Sequence, residues 1–296
     1  MNIFLTGGSG FIGKFIVQKL DNAANKLLIL TRNPQSLTHS KNVTILEGEL
    51  AKIGKWEKLL KEFKPQATIH LAWEGIPDYG YQNSIRNLKY GLKLLELLAK
   101  LKCQKILVAG SLWEYGVQIG KVSEEASIKP FNAFTAAKNS FYLLGSELTK
   151  EYNMIFLWTR LFNVYGPGQK ETSLIPYLIN CANNNKEIAI RNPNAKNDFI
   201  YVEDVAEAIN QILLKCNKSD IFNIGSGKLV SVQTILGKIF NFFDAKQRHK
   251  KVKQKQTDAL SYFYADITKI KTDIGWKPKV SLDRGIRKTI DYLVSI

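Results

Sequence analysis

The sequence predicts an α/β protein: a parallel sheet wound on both faces by helices, followed by a smaller C-terminal α/β lobe. Short apolar runs of strand length alternate with segments of helical periodicity through the first half of the chain. A glycine-rich turn joins the first of those runs to the first helical segment. Beyond Tyr165-Gly166-Pro167-Gly168 the alternation weakens, and Asn-, Lys- and Pro-rich loops separate short elements.

Asn2 to Thr6 reads as the first strand, because its continuous apolar run suits a strand buried on both faces. Phe11 to Leu20 follows as a helix. Lys26 to Leu30 and Val43 to Glu47 repeat the strand pattern, and Ala67 to Ala72, entered after Pro65, gives a fourth strand. Arg86 to Leu101 carries Leu88, Leu92, Leu95 and Leu98 at helical spacing, so one face should pack on the sheet. Lys105 to Ala109 is a fifth strand, Ala133 to Tyr152 a long helix, and Ile155 to Arg160 a sixth strand. The chain is expected to return to the first domain around Phe199 to Leu214. The expected division is a dinucleotide-binding domain over 1–165 with a return segment at about 198–222. Residues 166–197 and 223–296 then form a nucleotide-sugar-binding lobe, with a ligand cleft between it and the sheet.

Apolar content of 45% and charged content of 23% are ordinary for a globular protein. No apolar run approaches the roughly 18 residues that span a bilayer, and the N-terminus opens as a strand without a signal-peptide pattern. A cytoplasmic location is expected. The three cysteines, Cys103, Cys181 and Cys216, form no CxxC pair and read as small buried residues. His39, His70 and His249 show no metal-ligand spacing, and no metal site is expected; His70, inside an apolar strand, reads as a hydrogen-bonded core histidine. The net charge of +16 permits anionic partners. The one dense run, Lys246 to Lys255, lacks the aromatic platforms of a nucleic-acid site, so anionic small molecules explain the charge more simply.

The turn Thr6-Gly7-Gly8-Ser9-Gly10-Phe11-Ile12-Gly13 follows a strand and opens a helix. Gly7 permits the tight turn, Gly10 lets backbone approach a pyrophosphate, and Gly13 allows close packing of the helix. The helix N-terminus offers unpaired N–H groups to phosphate. This is a dinucleotide site of Rossmann type. At the end of the second strand the chain reads Thr31-Arg32-Asn33, with an Arg where a ribose-binding acid would select NAD, and a guanidinium suits a 2′-phosphate. NADP(H) is therefore favoured over NAD(H).

These residues, with Ile69-His70-Leu71-Ala72, Asn87, Gly110-Ser111-Leu112-Trp113-Glu114-Tyr115-Gly116 and Arg160-Leu161-Phe162-Asn163, carry a resemblance to the extended short-chain dehydrogenase/reductase family, in its nucleotide-sugar branch. Asp198 to Val205, Asn223 to Gly227 and Gly275-Trp276-Lys277-Pro278 extend it almost end to end. The resemblance implies cofactor contacts from Leu71 and Ala72 and a catalytic group of Ser or Thr, Tyr and Lys. Ser111 and Lys138 take two of those positions, and Phe134 takes the place of the Tyr. The family's Lys binds the nicotinamide ribose and lowers the Tyr pKa by its charge. Asn163 matches a position near the substrate diphosphate and sugar. Lys255 corresponds to a phosphate-binding Arg, and Asn197 stands where another Arg is frequent; lysine holds a diphosphate as a point charge, without a bidentate fork. Relatives dimerise through helices matching 86–101 and 133–152, which implies a homodimer.

Fold does not choose among the family's chemistries. Its 4,6-dehydratases carry an Asp-Glu pair after the Ser, where this chain has Leu112 and Trp113. Its C3/C5 epimerase-reductases use a Cys and a His at the positions of Trp113 and Gly168. A C4 epimerase holds NAD, which Arg32 disfavours. The resemblance is greatest to reductases that deliver hydride from NADPH to C4 of a nucleotide-linked 4-keto-6-deoxy sugar, a donor for surface polysaccharide, with Trp73 and Trp113 flanking the sugar. Three readings of Phe134 stay open: a Tyr→Phe variant of an active reductase, a native Phe with Ser111 or water as proton donor, and a non-catalytic NADP-binding sensor or partner protein.

Overall fold

The computed structural model describes residues 1–190, 192–243 and 262–295. The apolar runs β1 (Asn2–Thr6), β2 (Lys26–Thr31), β3 (Val43–Glu47), β4 (Ala67–His70), β5 (Lys105–Ser111), β6 (Ile155–Leu161) and β7 (Asp220–Ile224) form one seven-stranded sheet. The order is β7-β6-β5-β4-β1-β2-β3 and every pairing is parallel. The winding reverses between β1 and β4, which opens a crevice at the carboxyl ends of those strands.

The helices are α1 (Phe11–Leu20), α2 (Glu57–Phe63), α3 (Tyr81–Lys100), α4 (Ala133–Glu151), α5 (Leu174–Asn183), α6 (Val202–Lys215), α7 (Val232–Phe242), α8 (Thr268–Ile274) and α9 (Leu282–Val294). Alternating side chains of each strand serve opposite faces of the sheet. Ile3, Leu5 and Ile29 bury against Ile16, Ile209 and Ile270 of α1, α6 and α8. Phe4, Leu28 and Val108 meet Leu60, Leu95 and Phe141 of α2, α3 and α4 on the other side. A separate core formed by Leu178, Ile235 and Ile290 unites α5, α7 and α9 in the smaller lobe. Two parallel strand pairs, Asn163–Tyr165 with Phe199–Tyr201 and Ile119–Val122 with Tyr262–Ala265, stand apart from the large sheet. Among the described residues, no helix is long and apolar enough to cross a membrane.

Three boundaries differ from the sequence reading. β4 stops at His70 rather than Ala72, because pairing with β5 ends there and the chain turns toward the crevice. α3 begins at Tyr81 rather than Arg86; its first turns bury Asn83, Ser84 and Asn87, so apolar periodicity starts late. Residues 223–296 are not all lobe: Asn223 and Ile224 complete β7, and Ile270, Ile274 and Trp276 pack into the core of the large sheet. His70 sits in the core as expected, its Nδ1 2.7 Å from Thr6 Oγ1. Burial, with the Lys138 charge nearby, pushes its pKa down to about 3, so the ring is neutral. The three cysteines are free and buried.

Candidate active site

The turn between β1 and α1 leaves room for a nucleotide only because two glycines permit it. Gly7 has φ +78°, and a Cβ there would lie 2.8 Å from the Ala72 nitrogen. A Cβ on Gly13 would lie 2.0 Å from the Gly7 carbonyl oxygen. A cavity of about 230 Å³ opens beside this turn, lined by Gly7, Ser9, Gly10, Arg32, Leu71 and Ala72 among others. The start of α1 and these glycines fit the pyrophosphate and adenosine of a dinucleotide. Phe11 and Ile12 flank the turn, Ile12 reaching a second cavity. Arg32 is 63% exposed and stands 3.4 Å from Glu74. Glu49 lines the same pocket, so the carboxylates absent from the end of β2 arrive from elsewhere in the chain. Asn33 is not on the lining; its N–H donates to Thr31 Oγ1 at 3.0 Å and braces the strand end.

Ser111 ends β5 and caps a short 3-10 turn, Leu112–Tyr115. The Trp113 N–H donates to Ser111 Oγ at 3.2 Å, leaving the serine hydrogen free to donate. The Ser111 N–H donates to Glu114 Oε1 at 2.7 Å. Glu114 is buried and also accepts from Arg160 Nε and Trp158 Nε1, each at 3.0 Å from its second oxygen. Arg160 donates onward to the Tyr115 hydroxyl and to the Glu124 carbonyl, both at 3.0 Å. Tyr115 donates to Asn223 Oδ1 at 2.7 Å. Glu114 and Tyr115 thus clamp the turn that presents Ser111.

Lys138 projects from α4 into the crevice. Its Nζ donates to the Ala109 carbonyl at 2.6 Å and lies 4.1 Å from the centre of the Trp73 ring. Burial pushes its pKa down to about 8, opposed by the Glu114 charge. One turn earlier, Phe134 is buried in an aromatic group: Trp73 at 5.4 Å, Tyr79 at 5.2 Å and Trp113 at 6.2 Å between ring centres. Ser111, Phe134, Lys138, Trp73, Trp113 and Asn163 line one cavity of about 420 Å³. Asn163 Nδ2 donates to the Asp198 carbonyl at 3.0 Å. The Asp198 carboxylate accepts from Ser226, Gly227 and Ala265 and is a structural tie, although burial raises its pKa.

The position of Lys255 lies outside the described residues, as does the run Lys246 to Lys255. Sequence reasoning missed Tyr79, Gln169 and Glu49, because no spacing rule links them to the rest. Gln169 Nε2 donates to the Val164 carbonyl at 2.9 Å, and its Oε1 is buried without a hydrogen-bond partner among the described residues. Trp73 Nε1 is in the same state. Such groups are rare in folded interiors and mark where a ligand supplies the missing partner. No cluster of potential metal ligands occurs among the described residues.

The model of the NAD dependent epimerase/dehydratase family matches residues 3–225. The trifunctional UDP-glucose 4,6-dehydratase/UDP-4-keto-6-deoxy-D-glucose 3,5-epimerase/UDP-4-keto-L-rhamnose-reductase of Arabidopsis thaliana is 27% identical over 314 residues, which are 98% of this chain and 47% of the plant protein. Among solved structures, UDP-glucose 4-epimerase of Thermotoga maritima with UDP-glucose superposes with TM-score 0.89 at 25% identity, covering 100% of this chain and 99% of that one. UDP-N-acetylglucosamine 4-epimerase of Methanobrevibacter ruminantium, in complex with UDP-N-acetylmuramic acid, gives 0.87 at 25% identity, covering 99% and 98%.

Proposed function

The chain belongs to the NAD dependent epimerase/dehydratase family, and on that premise we propose that it reduces the C4 keto group of a nucleotide-linked 4-keto-6-deoxy sugar, using NADPH. The family and its relatives make the chain a nucleotide-sugar-modifying enzyme. The cavity lining supports reduction in particular. Among the described residues around that cavity, Lys138 is the only charged side chain, and no carboxylate, histidine or cysteine accompanies it. Dehydration and C3/C5 epimerisation need such groups beside the ring to move protons from carbon. Reduction needs a hydride and one proton, both delivered to a single carbonyl.

When bound, the reduced nicotinamide supplies the hydride. Ser111 Oγ accepts from the Trp113 N–H and donates its own hydrogen toward the C4 oxygen. Lys138, with one of its three N–H bonds given to Ala109, has others for a ribose hydroxyl. Trp73 and Trp113 offer flat apolar walls that suit a 6-methyl group, and Asn163 and Gln169 offer polar ends toward the diphosphate and ring hydroxyls. Arg32 supports NADP(H), since a side chain this exposed, 3.4 Å from Glu74, is free to turn to a 2′-phosphate. Exposed Leu143 and Leu144 on α4 support assembly of two copies through α3 and α4.

C4 epimerisation is the second reading, since both solved relatives described above are named 4-epimerases. It would begin by oxidising a C4 hydroxyl with bound NAD, and Arg32 at the end of β2 favours NADP(H) instead. The test is NADPH oxidation with a panel of nucleotide 4-keto sugars, by this chain and by Phe134→Tyr. We expect slow turnover that rises in the variant, by about 10² or more if no other side chain donates the proton, the range a positioned acid contributes. No turnover by either form, with nucleotide binding intact, would instead support the non-catalytic sensor.

A further inference from the structure

The phenol absent at position 134 has a counterpart in space. The loop between β4 and α3 carries Tyr79 into the same cavity, its ring 5.2 Å from the Phe134 ring and 4.9 Å from the Trp113 ring. We propose that Tyr79 is a catalytic residue of this chain, its hydroxyl meeting the sugar C4 oxygen and donating the proton that the residue at 134 cannot. This rests on the reductase reading above.

A donor must be held, and the loop is held from both sides. Asn87 accepts the Glu74 N–H at 2.7 Å and donates to the Glu74 carbonyl at 3.0 Å. Asn83 Nδ2 donates to the carbonyls of Glu74 and Asp78, each at 2.8 Å. The Asp78 side chain accepts the Gly80 N–H at 2.8 Å, and Lys170 Nζ donates to the Ile76 carbonyl at 2.5 Å. Gly75, at φ +82°, passes so near Asn83 that a Cβ would lie 2.5 Å from its amide nitrogen. Two buried asparagines at the start of α3, where leucines would pack as well, are explained by this anchoring.

The other hydroxyls on the cavity serve less well. Tyr165 also lines it, but its hydroxyl reaches back toward the Leu282 carbonyl at 3.5 Å and crowds Gly285. Ser111 can hydrogen-bond the oxygen, but an alcohol is a far weaker acid than a phenol with pKa about 10. Tyr79 is half-buried, and burial raises its pKa, so it is protonated at neutral pH, the form a donor requires. In the step, a C–H bond forms at C4 from the hydride of the reduced nicotinamide, which is oxidised. The phenol O–H bond breaks as an O–H bond forms on the C4 oxygen. The phenolate left on Tyr79 regains a proton from water at its exposed edge.

The test is a double-mutant cycle of Tyr79→Phe and Phe134→Tyr. Single-turnover reduction of a nucleotide 4-keto sugar should fall by about 10² or more in Tyr79→Phe, mainly in kcat. Adding Tyr79→Phe to Phe134→Tyr should cost only a few-fold, because the family phenol then does the work. A second readout needs no turnover: calorimetric binding of UDP-glucose and of UDP to the cofactor-free protein. Tyr79→Phe should weaken UDP-glucose by about tenfold and leave UDP unchanged, the value of one hydrogen bond. Equal losses from Tyr79→Phe in both backgrounds, or equal weakening of UDP-glucose and UDP, would make Tyr79 a packing residue and overturn the proposal. If no form turns over any 4-keto sugar, the reductase reading fails by itself, and the difference between UDP-glucose and UDP then decides the Tyr79 contact.

Discussion

A buried ion pair and a buried lone charge flank Ser111 and are treated in opposite ways. Behind it, Glu114 and Arg160 are 1% and 2% exposed and answer each other at 3.0 Å, with Trp158, Tyr115 and the Ser111 backbone taking up their remaining capacity. In front, Lys138 is 5% exposed, yet among the described residues its hydrogen bonding amounts to the Ala109 carbonyl, with the Trp73 face beside it. On the same cavity, Trp73 Nε1 and Gln169 Oε1 lack partners among the described residues. A charge whose hydrogen bonds are all spent within the fold holds backbone in place. One with N–H groups to spare, beside other unmatched polar atoms, faces a ligand.

The first consequence concerns the paired side. Glu114→Gln leaves the Arg160 guanidinium buried without its countercharge, and should cost about 3–5 kcal/mol in urea denaturation. Replacing both residues by methionine should cost less than that single change, since two desolvated charges vanish together. A double variant as unstable as the single one would mean that Glu114 acts as a backbone anchor rather than as a countercharge.

The unpaired side gives the opposite sign. The Lys138 pKa is pushed down to about 8 in the folded protein, against about 10.4 for a free lysine. The folded state therefore binds fewer protons than the unfolded state between those values, and stability rises with pH across that window. At pH 7 the ammonium is buried at a cost of about 3 kcal/mol, which disappears by about pH 10. Lys138→Met should accordingly stabilise the ligand-free protein most at pH 7, with the gain shrinking as pH rises. A gain independent of pH would show that the ammonium is solvated and that the cavity is not its low-dielectric host.

How much of this was legible in the sequence follows the same division. The strands could be read because both of their faces are buried, leaving runs such as Ile3-Phe4-Leu5 unbroken. The glycine turn and the one-turn spacing of Phe134 and Lys138 are local patterns; the structure puts Phe134 and Lys138 with Ser111 on one cavity and the glycine turn on a second, and Leu71 and Trp73 line both. The start of α3 was hidden because Asn83 and Asn87 turn inward to hold a loop instead of packing on the sheet. Tyr79, Gln169 and Glu49 reach the site through space, from loops without periodicity, so no spacing could mark them. Glu114 stands inside the Gly110–Gly116 motif, but its role as the clamp behind Ser111 depends on Arg160, 46 residues away along the chain.

The smallest effect tests the outer end of the same contrast, where charge meets solvent. Arg32 is 63% exposed and 3.4 Å from Glu74, so its ion pair contributes little to folding. Arg32→Ala should leave stability within about 0.5 kcal/mol. If the guanidinium turns to a 2′-phosphate, the ratio of kcat/KM for NADPH over NADH should fall by about tenfold, corresponding to about 1.4 kcal/mol. Glu74→Gln should move the same ratio the other way, by freeing Arg32 and removing a negative charge from the pocket. The two carboxylates there, Glu49 and Glu74, make this a close competition. An unchanged ratio in both variants would assign Arg32 to the surface and leave the adenosine ribose to Glu49, the arrangement of an NAD-selective pocket.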